Sequence, residues 1–366
     1  MQSFDVVPVG PAGAGKTSLL AAMKQGLEEW EPEPVSPGLR PDPVTASVLA
    51  EAWRSMRAAE PGAPVGAHHR ALVNLWFEAA ADDGQPLFET RWVDYDGAAV
   101  TDARHAAGRA LAARVRGAAA LVCVVDGELV AKLLDGDRDG FERAMAGVWK
   151  LLDGQGGVVR FVVTKWDLLE DRASLSEVRD ALLGQAGFVS VLRRSSVRPD
   201  GPGPVALIPV SVVGEDAGRQ ALVPLLSVLP PVLRTASGRA ERAAGGGGSL
   251  VAGVGANWLS QAVTAVAVQQ VLQRVVDAVP GDRAVRRYAG HAAVGVSMLV
   301  EAAVRTWCDR RARPGESHGG PAQGKLLARA AEAYEWHLRD FRLRFPASDL
   351  TGAVSPASGL WRRLVG

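Results

Sequence analysis

Short apolar runs recur through the first two thirds of the chain, separated by stretches with helical spacing. Residues 6–9 form the first run. Residues 118–125, 158–163 and 205–210 are continuous apolar blocks of strand length. A strand apolar at every position is buried on both faces, as at the centre of a parallel sheet. Residues 71–80 and 87–93 read as two more strands, and Asp82-Asp83-Gly84 between them predicts an antiparallel hairpin. Residues 18–24, 45–60, 101–116, 140–152 and 175–183 carry helical periodicity. This alternation lasts to about residue 237 and predicts an α/β fold, with helices on both faces of a parallel sheet. Two features sit oddly in it. Pro8 falls inside the first strand, and the proline-rich stretch 30–43 predicts an extended surface loop with no regular element.

The pattern changes towards the C-terminus. Residues 1–237 read as one domain and 238–249, with Gly245 to Gly248 in a row, as a flexible linker. Residues 250–345 are rich in Ala and Val and read as a helical docking or effector region, followed by a tail at 346–366. The uncharged stretch 250–272 is long enough to span a bilayer. It carries Asn257, Ser260, Gln261, Thr264, Gln269 and Gln270, which insertion penalises. A packed helical bundle is therefore preferred to membrane contact through 250–300. Residues 325–345 form a well-patterned amphipathic helix, suited to packing or to a partner.

Composition adds little but excludes some classes. The 366 residues suffice for two domains, and a formal net charge of +1 argues against an obligate nucleic-acid binder. Charge is uneven, with 17 Lys and Arg against 10 Asp and Glu from position 238 onward and 24 against 30 before it. Two cysteines, Cys123 and Cys308, make no disulfide framework. The glycine-rich loop starts within ten residues of Met1, so no signal peptide is expected before the first strand, which predicts a cytoplasmic protein.

Candidate chemistry sits at the ends of the predicted strands. Gly10-Pro11-Ala12-Gly13-Ala14-Gly15-Lys16-Thr17 fits G-x-x-x-x-G-K-[ST] at every fixed position, between a strand and a helix. Glycines let backbone N–H groups turn around phosphate oxygens, and the helix N-terminus adds partial positive charge. Gly10, Gly13, Ala14, Gly15, Lys16, Thr17 and Ser18 are the expected phosphate contacts. Lys16 reaches the β- and γ-phosphates and Thr17 ligates Mg²⁺. The alternative is a glycine-rich turn before an ordinary helix, which does not explain the whole octet.

Asp94-Tyr95-Asp96-Gly97 ends its strand as D-x-x-G. Asp94 is expected to hold Mg²⁺, and the Gly97 N–H to bond the γ-phosphate. Thr164-Lys165-Trp166-Asp167 matches [NT]-K-x-D. A carboxylate at Asp167 accepts both guanine N1–H and the N2 amino group, a pair that adenine lacks. The bland reading, a strand followed by an N-cap, leaves the lysines unexplained, since Lys16 and Lys165 are two of only six in the chain. After the last strand, Ser211 and Val212 offer backbone N–H groups to guanine O6.

The chain therefore resembles a P-loop GTPase of the Ras-like and translation-factor-like superfamily over about residues 2–235. A weaker similarity is to bacterial regulatory GTPases of the double-GTPase type. The resemblance implies a three-layer G domain with a mixed, mostly parallel six-stranded sheet, binding of GTP and GDP with Mg²⁺, and a switch role. Lys16 and Gly97 are the implied catalytic groups, and Thr17, Asp94 and Thr45 the implied Mg²⁺ ligands. The chain departs from the family where water is oriented, since Ala98 and Ala99 follow D-x-x-G. Thr45 reads equally as a helix N-cap. Arg40, His68, His69 and His105 are weaker candidates for the missing group.

The expectation is a GTPase of low intrinsic rate that works as a switch with a protein effector or activating partner. The alternatives are a GTP-gated scaffold that hydrolyses little and a membrane-associated GTPase. Self-association stays open.

Overall fold

A computed structural model describes residues 2–30, 37–58, 73–80, 86–101, 106–153, 158–196, 205–245 and 321–351. In chain order the elements begin with β1 (Gln2–Val9), α1 (Lys16–Glu29), β2 (Gly38–Pro41), α2 (Pro43–Ala58), β3 (Val73–Ala80) and β4 (Pro86–Asp94). Then come α3 (Ala98–Thr101), α4 (Ala106–Gly117), β5 (Ala120–Asp126), α5 (Gly127–Leu134), α6 (Arg138–Leu152) and β6 (Val158–Thr164). The last are α7 (Leu175–Leu183), α8 (Ala186–Ser196), β7 (Ala206–Pro209), α9 (Ala217–Gly245), α10 (Pro321–His337) and α11 (Arg339–Arg344).

The fold is α/β, with one seven-stranded, mostly parallel sheet in the order β2-β3-β4-β1-β5-β6-β7. Strands β4, β1, β5, β6 and β7 pair in parallel, and β3 is antiparallel to both β4 and β2. Two of the continuous apolar runs became the interior strands β5 and β6, every residue of which is buried, whereas the third, 205–210, became the edge strand β7, which pairs with β6 alone. Their side chains alternate between two cores. Val122, Val124, Val162 and Ile208 pack with residues of α1, α9 and α10, whereas Cys123, Val125, Phe161 and Leu207 pack with residues of α4 to α8. Helices thus cover both faces.

The seventh strand, β2, lies in the proline-rich stretch where no element was expected. Prolines are tolerated there because β2 is an edge strand. It pairs on one side only, with β3, and Pro41 ends it. Pro8 is accommodated in a similar way, because pairing with β4 stops at Val6 and this last part of β1 pairs with β5 alone.

Helix α9 begins beyond β7 and runs through Gly245, past the start of the expected linker. It holds Pro224, Pro230 and Pro231. A helical proline lacks the N–H that would bond the carbonyl four residues back. For Pro231 that carbonyl belongs to Ser227. Arg160 of β6, buried under α9, donates to it through Nε and Nη2 at 3.2 and 2.9 Å. Over Ala217–Arg242, α9 is the one helix among the described residues long and apolar enough to cross a membrane. Its apolar window is 78% buried inside the protein, which makes it a core helix.

Met1–Arg242 and Pro321–Gly366 form one compact unit and Ala243–Gly320 a second. The amphipathic pattern at 325–345 became α10 and α11. Leu327, Ala330, Ala331, Tyr334 and Leu338 are buried in the same core as α1 and α9. The apolar stretch 250–272 lies outside the described residues, as do the 82–84 turn, His68, His69 and His105.

Candidate functional site

Because β1, β4, β5, β6 and β7 are parallel, their C-terminal ends meet along one edge of the sheet, where ligands of open α/β sheets bind. The glycine loop joins β1 to α1 there. Gly13 and Gly15 take left-handed φ angles of 77° and 78°, which a residue with a Cβ rarely adopts. Lys16 opens α1 and is buried. Its ammonium donates to the carbonyls of Gly10 at 3.0 Å and Pro11 at 2.8 Å. Burial lowers its pKa to about 8, and the charges of Asp94 and Asp96 oppose that shift. Thr17 donates its hydroxyl to Asp94, 3.1 Å from Oδ1 and 2.9 Å from Oδ2.

Asp94 is buried at the end of β4, and the Tyr95 N–H donates to its Oδ1 at 3.0 Å. The turn that follows presses on the loop. A Cβ on Gly97 would stand 2.4 Å from the backbone N and Cα of Ala12, so the position admits only glycine without a shift. Asp96 then caps α3 by accepting from the Ala98 N–H at 3.0 Å. The Ala98 methyl is exposed and that of Ala99 is buried.

Strand β6 supplies the opposite wall. The Thr164 hydroxyl lies 2.8 Å from the carbonyl of Ala14 and 3.2 Å from that of Val125, which ties the glycine loop to β5 and β6. Lys165 is the one non-glycine residue with positive φ among the described residues, at 52°. Its ammonium bonds Asp126 Oδ2 at 3.1 Å and Glu128 Oε1 at 2.7 Å. Burial works against that charge, but the bonds to Glu128 and Asp126 outweigh it and raise its pKa. The Lys165 bond also lowers the pKa of Glu128. Asp167 is half-buried and accepts the Ser211 hydroxyl at 2.9 Å on Oδ1. Ser211 is fixed in turn, since its N–H donates to Gln220 Oε1 of α9 at 2.9 Å. Trp166 packs in the core. Ser18 and Val212 are half-buried, Ser18 in the first turn of α1 and Val212 beside Ser211.

The structure thus brings the loop 10–18, Asp94, Gly97, Thr164–Asp167 and Ser211 to one edge. It does not bring Thr45 to that group. The Thr45 hydroxyl donates to Asp42 and accepts the Trp76 N–H at 2.8 Å, so it clamps the start of α2 to β3. In this arrangement the Thr45 hydroxyl serves the local structure of α2 and β3 and makes no bond to Thr17 or Asp94. Arg40 is exposed on edge strand β2, with β3 and β4 between it and β1.

Sequence reasoning missed Tyr95, Asp126, Glu128 and Gln220. A signal existed for Asp126, an Asp that closes an apolar strand before a helix and accepts the Glu128 N–H as an N-cap at 2.9 Å. The contact of Tyr95 with Gly10 gave none, because the two lie 85 residues apart, and no pattern marks Gln220, nine residues beyond Ser211.

Thr17 and Asp94 offer hard oxygen donors that suit Mg²⁺ shared with phosphate. Among the described residues no group of three or more His, Cys, Asp or Glu stands close enough to hold a metal alone. A hollow of about 480 Å³ between α7 and α8, and one of about 340 Å³ beside α10, contain none of the residues at this edge. Compared with known proteins, the chain matches no family model and no curated sequence.

Proposed function

We propose that the chain binds guanine nucleotide with Mg²⁺ and hydrolyses GTP slowly to GDP and phosphate, as a molecular switch. In this reading the α/β unit is a P-loop G domain. The observation that carries it is the network around the glycine loop, where Lys16, Thr17–Asp94 and Thr164–Ala14 converge from three strand ends.

The Lys16 ammonium already sits inside the loop and exchanges its two carbonyl partners for phosphate oxygens, a charge-assisted and stronger bond. Thr17 and Asp94 would hold Mg²⁺, and the ion would supply positive charge against the phosphates. The Gly97 N–H, carried on the turn pressed against Ala12, is the donor that senses the γ-phosphate. Ser211 fixes one oxygen of Asp167, and the carboxylate reads the guanine N1–H and N2 edge.

A specific observation favours a second reading, a GTP-gated scaffold with little hydrolysis. The exposed position after Gly97 carries only the methyl group of Ala98, which cannot orient water.

Competition titrations with GTP, ATP and XTP test the base assignment. The expected order is GTP well ahead of ATP. Asp167→Asn weakens GTP and GDP binding and moves preference towards xanthine nucleotides, whose C2 carbonyl pairs with the new amide. Equal affinity of the unmutated protein for ATP and GTP would sink the guanine reading.

A further inference from the structure

Tyr95 occupies an unspecified position of D-x-x-G, yet it touches both ends of the glycine loop. Its side chain is only 4% exposed and packs in the core with Val7, Val9 and Cys123. Its hydroxyl oxygen accepts the Gly10 N–H at 3.3 Å. Its ring face stands 5.1 Å from the Lys16 ammonium. Gly10 is wedged from the other side, where a Cβ would stand 2.6 Å from the Val124 carbonyl oxygen. One rigid aromatic therefore sets the start of the loop, the height of its cation and, through its own backbone N–H, one oxygen of Asp94.

We propose that Tyr95 is a positioning residue that holds the Lys16 ammonium at the depth from which it reaches the terminal phosphate, and so sets the preference for triphosphate over diphosphate. This rests on the nucleotide reading of the site. An aromatic face attracts a desolvated cation without accepting a hydrogen bond from it. Lys16 is thus held in place while its three N–H groups stay available for oxygen, first from Gly10 and Pro11 and then from phosphate. A carboxylate at the same place would hold the ammonium more strongly and compete with the phosphate.

The test uses the full chain with fluorescent GTP and GDP, titrated with Mg²⁺ present. Tyr95→Phe keeps the ring and removes the Gly10 anchor. Both affinities fall together by a few-fold and the GTP-to-GDP ratio is kept. Tyr95→Leu removes the ring face as well, and the ratio falls by about three- to tenfold. In a Lys16→Ala background Tyr95→Leu leaves the ratio unchanged, because the group it positions is gone. A purely structural tyrosine would lower thermal stability and both affinities in parallel, in either background. Melting without nucleotide, with Tyr95→Met as a second variant, separates misfolding from mispositioning. An unchanged ratio in a folded Tyr95→Leu or Tyr95→Met protein overturns the role of Tyr95 alone. Failure of the unmutated chain to bind either nucleotide overturns this role and the nucleotide reading together.

Discussion

Lys16 pays for its burial with two carbonyl bonds, and both are replaceable. An alanine there leaves the Gly10 and Pro11 carbonyls without that donor, but it also removes a desolvated ammonium. The two effects oppose each other, so Lys16→Ala changes folding stability little, by about 1 kcal/mol or less. Binding has no such compensation, and loss of charge-assisted bonds weakens GTP by at least about tenfold. Calorimetry on the folded variant checks both halves, and retained tight GTP binding refutes the assignment. Ala98 permits the complementary experiment. Its methyl is exposed, so a longer side chain meets no packing. The unmutated protein is expected to hydrolyse GTP at or below about 10⁻⁴ to 10⁻³ s⁻¹, and Ala98→Gln to raise that modestly. Single-turnover phosphate release measures both rates. Turnover near about 1 s⁻¹ in the unmutated protein would show that another group already orients the water. The placing of Lys16 and Ala98 just after strand-end loops was legible in the sequence because the G-x-x-x-x-G-K-T and D-x-x-G patterns follow apolar strand runs at fixed spacing. The bond of Thr45 to the Trp76 amide was not legible, because the two lie 31 residues apart and no local pattern announces it.

At the scale of elements, strands buried on both faces announce themselves by apolar runs, so β5 and β6 could be read. Strand β2 could not, since a four-residue edge strand draws its stability from β3 and not from its own sequence. Helix α9 was hidden by prolines that usually end a helix. Its continuation depends on Arg160, which serves the Ser227 carbonyl that Pro231 cannot. Burial depresses the Arg160 pKa to about 10, with Arg342 adding to the shift and Glu335 opposing it, so the guanidinium remains charged at neutral pH. A double-mutant cycle isolates this interaction. Arg160→Met alone leaves the carbonyl unserved, at about 1–3 kcal/mol, partly offset by removal of a buried charge. Pro231→Ala restores a helical N–H to the same oxygen. Combined with it, Arg160→Met is expected to cost about 1 kcal/mol less than in the unmutated protein. Denaturant unfolding of the four proteins gives the coupling, and simple additivity would exclude this account of α9.

At the scale of the whole molecule, the chain returns to its first domain after residue 320, and the return is structural. Tyr334 of α10 is fully buried beside Phe88 of β4 and Trp30, which follows α1. Its hydroxyl donates to the Pro37 carbonyl at 2.8 Å. Arg234 of α9 pairs with Glu335 at 3.0 Å. Farther on, the Leu350 N–H donates to the Val205 carbonyl at 2.9 Å and Asp349 bridges to Ala206, which covers the outer edge of β7. The amphipathic period of α10 was readable, but the surface it covers was not, because period reveals a buried face and not its partner. These contacts make α10 part of one cooperative unit with the sheet. Tyr334→Phe then costs about 1 kcal/mol, the worth of a bond to a buried carbonyl. Tyr334→Ala costs about 3–5 kcal/mol, as for other large aromatics removed from a core. Both losses should appear as a shift of the single unfolding transition, followed by tryptophan fluorescence and by circular dichroism. If α10 were only draped on the domain, Tyr334→Ala would loosen it locally and leave the midpoint of the sheet unchanged. Two probes that separate, or a midpoint that does not move, would therefore detach the C-terminal helix from the fold.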